Sequence, residues 1–116
     1  MKLNVFHKAD ELVLLVYRYS RGFPADERFG LRAQLRRAAL SIPTNIVEGS
    51  ARNSRKDYLR FLDIALGSTA ETDYLLHVAT RLDYLPMPES EHCRTRALEV
   101  RKMLQKLIAA LRGLSD

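Results

Sequence analysis

The chain has 116 residues, 47% of them hydrophobic, and carries Lys+Arg 19 against Asp+Glu 14 for a formal net charge of +5. That length fits a single domain over residues 1–116, and the apolar content excludes a disordered chain. No apolar run is long enough to span a bilayer, and the lone cysteine, Cys93, excludes both an internal disulfide and a thiolate metal cage within one chain.

Charge scattered through Met1 to Asp10, with no apolar block behind a charged end, reads as a cytoplasmic protein with no membrane partner. From Asn4 to about Tyr19, Val5, Phe6, Ala9, Leu12, Val13, Val16 and Tyr17 recur at helical spacing, which predicts a first amphipathic helix. Gly22 suits its end and Pro24 suits the first turn of the next helix. That second helix is expected from about Pro24 to Glu48, with Leu31, Leu35, Ala38, Ala39, Ile42 and Ile46 on one stripe. Pro43 lies in its interior, lacks an N–H and crowds the carbonyl four residues back, so a kink there, or two abutting helices, is expected. Gly49 marks the end. Ser54 is a plausible N-cap for a third helix, and Asp57 follows at the position where a carboxylate suits the unpaired amides.

The third helix is expected from Arg55 to about Asp83, with Tyr58, Phe61, Leu62, Ala65, Leu66, Thr69, Thr72, Leu75, Leu76, Ala79 and Leu82 as its apolar face. Small residues at its middle, Gly67 among them, allow close approach of a neighbouring backbone. Pro86 and Pro88 fix a rigid turn, and a fourth helix follows from about Pro88 to Leu111, its stripe made by Leu98, Val100, Leu104, Leu107, Ile108 and Leu111. Nothing alternates as a strand would. The fold class is all-α: an antiparallel up-and-down four-helix bundle with its second helix kinked near Pro43.

The titratable residues carry no catalytic signature. His7, His77 and His92 are far apart, and Glu89 with His92 makes one Glu-x-x-His pair where a di-iron bundle needs two such pairs and two further carboxylates. There is no phosphate-binding glycine loop and no nucleophile elbow, and Cys93 has no activating neighbours in sequence beyond His92. The expectation is a non-enzyme with no metal and no cofactor.

The basic residues say more, because most are arginine, whose planar fork matches phosphate and carboxylate. Arg28, Arg32 and Arg36 recur every four residues on the expected second helix, with Arg37 adjacent, and like charges so stacked repel by about 0.2–0.5 kcal/mol per pair. Arg52, Arg55, Lys56 and Arg60 form a second cluster at the start of the third helix, where free amides favour anions. Together they suggest a polyanion surface. The competing reading pairs them with Asp26, Glu27, Asp57 and Asp63. A polar set, Ser41, Asn45 and Glu48 on the second helix with Ser68, Glu71 and Thr72 on the third, suggests a buried hydrogen-bonding layer that fixes register rather than a catalytic pair of glutamates.

Four blocks carry a resemblance: Gln34-Leu35-Arg36-Arg37-Ala38, the run from Ser41 to Gly49, Asp57-Tyr58-Leu59-Arg60-Phe61-Leu62, and Gly67-Ser68-Thr69-Ala70-Glu71. Read together, they resemble the family of four-helix-bundle proteins encoded within intervening sequences of bacterial 23S ribosomal RNA genes. The resemblance implies a non-catalytic bundle that assembles as a ring-like homopentamer. It also implies kinship with the accessory proteins of diversity-generating retroelements, basic pentamers that engage a reverse transcriptase and nucleic acid. The expected function is therefore a homo-oligomer that binds RNA or another nucleic acid through its arginine-rich face. The alternative is an oligomeric scaffold that recruits a protein partner without touching nucleic acid.

Overall fold

The computed structural model describes residues 4–114, and helices make up most of that stretch. They are α1 (Asn4–Tyr19), α2 (Leu31–Ser50), α3 (Arg55–Arg81) and α4 (Met87–Arg112), with two short 3-10 turns at Ser20–Gly22 and Ala25–Glu27. No strand occurs among the described residues, and no described helix is long and apolar enough to cross a membrane. Side-chain pairs between neighbours run in opposite order: on α3 and α4, Asp63 meets Arg112, Asp73 meets Arg94, and Thr80 meets Ser90. On α1 and α4, Lys8 pairs with Glu99 and Glu11 with Arg96. The result is an antiparallel bundle with extents of 50 × 24 × 20 Å.

One apolar core unites the helices. Leu12 and Val16 of α1, Leu35, Ile42 and Ile46 of α2, Leu62 and Leu76 of α3, and Val100 and Leu104 of α4 are all sealed from solvent. Removing such side chains from water is the main source of stability in a chain with no cross-link. Two buried threonines, Thr69 and Thr72, donate back to the carbonyls of Ala65 and Ser68, so no unpaired hydroxyl enters the core. On α4 the buried line is Cys93, Ala97, Val100, Leu104 and Ile108. Leu98, expected on that stripe, is 40% exposed. Ala97 takes the inner position, and Leu98, one position on, faces out.

The second helix starts later than its pattern suggests. The chain from Pro24 to Gly30 forms a 3-10 turn and a further turn, and α2 begins at Leu31. Glu27 enforces this: its Oε1 accepts the Leu31 amide at 2.9 Å, satisfying a donor that a continuous helix would have paired with a carbonyl. A Cβ at Gly30 would lie 2.6 Å from that same oxygen, so a larger residue there would displace the capping carboxylate. Glu27 Oε2 also accepts a hydrogen bond from the Tyr84 hydroxyl at 3.1 Å. This bond, more than burial, raises the phenol's pKa above its ordinary value.

α2 then runs unbroken through the buried Pro43, so two abutting helices do not occur. Thr44 Oγ1 donates to the Leu40 carbonyl at 2.8 Å and Asn45 Nδ2 to the Ser41 carbonyl at 2.8 Å, so side chains supplement the helical ladder where proline interrupts it. The two glycines of the α2–α3 region differ in what surrounds them. Gly49 marks the end of α2 as expected, one residue before Ser50, and is also buried, where an added Cβ would meet Phe61 Cβ at 2.8 Å and Tyr58 Cδ1 at 3.0 Å. Gly67, expected at a close approach, is exposed with nothing within 4 Å of a built Cβ.

At the next junction the Ser54 hydroxyl caps α3 by accepting the Asp57 amide at 3.1 Å. α3 ends in a paired arrangement, with the Tyr84 amide on the Ala79 carbonyl at 2.9 Å and the Asp83 amide on the Thr80 carbonyl at 3.0 Å. This places Asp83 at φ 62°, a left-handed position that normally favours glycine. Two contrasts test these backbone assignments in urea titrations. Gly49→Ala is expected to destabilise by about 1–3 kcal/mol through overpacking, while Gly67→Ala stabilises by about 0.5–1 kcal/mol. Asp83→Gly is expected to raise stability by up to about 1 kcal/mol, and Asp83→Val to lower it, because a β-branched residue tolerates positive φ least.

Candidate nucleic-acid interface

The arginines expected on one face divide between the two ends of the bundle. α2 has 20 residues, and at about 1.5 Å per residue its length of about 30 Å stands between Arg32 in its first turn and Arg52 beyond its last. The antiparallel path then carries Arg55, Lys56 and Arg60 on the first turns of α3, at the same end as Arg52. A single contiguous arginine face is therefore not formed within one chain.

At the end where α1 stops and α2 starts, the residues differ in what they do. Arg28 precedes α2, so it does not stack with Arg32 on a helix; its guanidinium carbon lies 5.2 Å from the ring centroid of Phe29. Arg36 serves the fold: Nε donates to Ser20 Oγ at 2.8 Å, Nη2 donates to the Tyr17 carbonyl at 3.0 Å, and the guanidinium lies 4.6 Å from the centre of the Tyr17 ring. A cation at the C-terminus of α1 suits both the unpaired carbonyls and the helix dipole. Arg32 and Arg37 make no ion pair with a described carboxylate, and Arg37 is exposed.

At the other end, Arg52 and Arg60 each set a guanidinium carbon 4.7 Å from the centre of the Phe61 ring. Arg60 also pairs with Asp57 at 4.0 Å, one turn back on α3. Arg55, Lys56 and Arg60 line an open groove of about 970 Å³ between the start of α3 and the end of α4, together with Leu59, Ile64 and Leu111. Arg112 joins them from α4, held by Asp63 at 2.9 Å. Arg112 has no signal in the spacing of the arginines, but an up-and-down topology brings the end of α4 beside the start of α3. Phe29 likewise falls outside any apolar stripe, breaking from that of α2 beside Gly30, and is 87% exposed.

Of the four acidic residues expected to neutralise these arginines, Glu27 and Asp63 are engaged elsewhere, Asp57 reaches one of them, and Asp26 is exposed. Glu27 caps α2 and binds Tyr84, Asp63 holds Arg112, and Asp57 reaches Arg60 at the limit of ion-pair distance. The densest pairing joins α1 to α4, where Arg96 pairs with Glu11 and Glu99, and Lys8 pairs with Glu99.

The polar layer forms in part. The Ser41 and Ser68 hydroxyls bond at 2.8 Å across α2 and α3, and Asn45 Nδ2 donates to Ser41 Oγ at 3.0 Å. Glu48 and Glu71 do not enter it. Both are exposed, because each lies on the outward side of its helix, and neither carboxylate bonds another described residue. Among the described residues no group of three His, Cys, Asp or Glu is placed to hold a metal, and His92 Nδ1 lies in a hydrogen bond with the Tyr19 hydroxyl at 2.8 Å. Cys93 is fully buried, and burial, reinforced by Glu89, pushes its thiol up to about 12, so it stays protonated at neutral pH.

This arrangement can be set beside known proteins. No curated protein matches the chain. A solved structure from Bacteroides thetaiotaomicron, a protein of unknown function from the S23 ribosomal protein family, superposes with a TM-score of 0.82 at 29% sequence identity, over 90% of this chain and 95% of that one. The model of the 23S rRNA-intervening sequence protein family matches residues 1–106. With that match spanning all but the last residues of the bundle, the chain belongs to the 23S rRNA-intervening sequence protein family.

Proposed function

We propose that this protein is a non-catalytic, homo-oligomeric bundle that binds RNA or another nucleic acid through arginines at both ends of each subunit. The observation that carries this reading is the state of the basic residues: Arg28, Arg32, Arg37, Arg52 and Lys56 have no ion pair with a described carboxylate. Charges left unpaired at the surface attract phosphate and release its counterions, and the formal net charge of +5 adds a favourable long-range field. Two clusters on one subunit suit a multivalent binder. Assembly repeats each cluster around the oligomer and turns weak single contacts into useful avidity.

A protein-binding scaffold remains the second reading, favoured by apolar side chains left on the outer faces. Leu14, Leu40, Val47, Ile64, Tyr74 and Leu98 are all exposed, and a groove of about 510 Å³ between α3 and α4 is lined by Met87 and Leu98 beside the Arg94–Asp73 pair. Such surfaces suit subunit contacts or another protein.

Binding to a structured RNA and to duplex DNA across a salt series separates the two readings. Arg32→Gln, Arg37→Gln, Arg52→Gln and Lys56→Gln in one variant spare Arg36, whose loss would disturb the end of α1. Nucleic-acid binding predicts that affinity of the wild type falls steeply with salt, and that each lost duplex phosphate contact lowers the slope by about 0.9. The variant then binds more weakly while its sedimentation mass is unchanged. No binding by the wild type at low salt, or collapse of the oligomer in the variant, sinks this reading in favour of the scaffold.

A further inference from the structure

Phe29 is the most exposed large apolar side chain among the described residues, at 87%, whereas Phe23 and Phe61 are buried. Its loop is firmly held. The Arg28 amide donates to the Ala25 carbonyl at 3.2 Å, the Gly30 amide to the Glu27 carbonyl at 3.1 Å, and the Leu31 amide to the Glu27 carboxylate. The ring is thus presented to solvent by a braced turn at the head of α2. Arg28 lies against it and Arg32 follows in the first turn of the helix, with Asp26 as the exposed carboxylate of the loop.

We infer that Phe29 is a stacking platform for an unpaired base, so that this end of the bundle binds single-stranded nucleic acid in preference to duplex. The inference rests on the nucleic-acid reading above and specifies its ligand class. A base offers a flat face to the ring whatever its identity, while Arg28 beside it and Arg32, three residues on, offer charge for flanking phosphates. Bases in a duplex are already stacked on their neighbours and must be extruded before they reach such a ring. The arginines beside the ring favour an anionic occupant, which a nucleic acid supplies.

The chain contains no tryptophan, so Phe29→Trp supplies a single fluorescent reporter at the site. A single-stranded RNA of about 12 nucleotides, within the usual site size, and the corresponding duplex are titrated against wild type, Phe29→Ala and Phe29→Trp. The expected result is a roughly 5- to 150-fold loss of single-strand affinity in Phe29→Ala, with little change for duplex. Phe29→Trp should retain affinity, and its emission should be quenched by the single strand but not by the duplex. Equal loss on both ligands, no loss on either, an unquenched tryptophan, or a change of oligomer mass in Phe29→Ala overturns the inference. If wild type binds both ligands and only the Arg32, Arg37, Arg52 and Lys56 variant loses binding, stacking fails while the basic-surface reading stands. If wild type binds neither, both fall together.

Discussion

The carboxylate of Glu27 joins two parts of the chain that are distant in sequence, the Leu31 amide that opens α2 and the Tyr84 hydroxyl in the connection between α3 and α4. Both oxygens are used, and the first lies where a side chain at residue 30 would begin. This one group sets where α2 begins, and through it which arginines lie on the helix and which precede it. With α2 opening at Leu31, Arg28 and Phe29 sit on a braced turn, Arg32 enters the first helical turn, and Arg36 falls one turn later against the end of α1. Had the helix begun at Pro24, the rows of arginine would have continued in register and Phe29 would have been one more helical side chain.

The basic residues consequently serve different ends although they look alike in sequence. Arg36 is a structural clamp, engaged by a carbonyl, a hydroxyl and an aromatic ring. Arg112 is tied to Asp63 and Arg96 to Glu11 and Glu99, which secures α4 to its neighbours. Of the residues without a described carboxylate partner, Arg28 and Arg32 lie at one end and Arg52 and Lys56 at the other, and these carry the proposed interface. The separation also suits the proposed assembly, in which phosphate contacts at both ends of each copy would gain little singly and more in an array.

The blocks that carry the family resemblance read structurally as the seam between α2 and α3. Ile42, Pro43, Ile46 and Gly49 are buried in it, and Ser41, Asn45 and Ser68 bond across or along it. Gly49 lets the two backbones approach where Phe61 and Tyr58 pack, and the serine pair closes the same seam farther along. Glu48 and Glu71 depart from this scheme by facing solvent. Their place in the motif is therefore not explained by packing within the subunit. Cys93, sealed in the core with its thiol held protonated, behaves as a small apolar side chain and not as a nucleophile.

Helical periodicity was legible because it is a local property: α1 spans Asn4–Tyr19 as its pattern indicated, Ser54 caps α3, and the four-helix antiparallel plan follows from apolar stripes separated by short breaks. The family blocks were legible for the same reason, being contiguous strings. Gly30 was also in plain view, but an interior glycine costs a helix only about 0.5–1 kcal/mol, too little by itself to move a boundary. The contact from Tyr84 and the cap from Glu27 moved it, and no periodicity encodes a bond between residues 57 positions apart. Likewise, whether a glycine ends a helix or admits a neighbour, as Gly49 does, depends on what lies across the seam. Residue types and spacing thus determined the helices, their order and the sum of charge. Only the packed bundle decided which arginines are held and which are left at the surface, because a charge is paired or unpaired by neighbours that the chain brings together from far along its length.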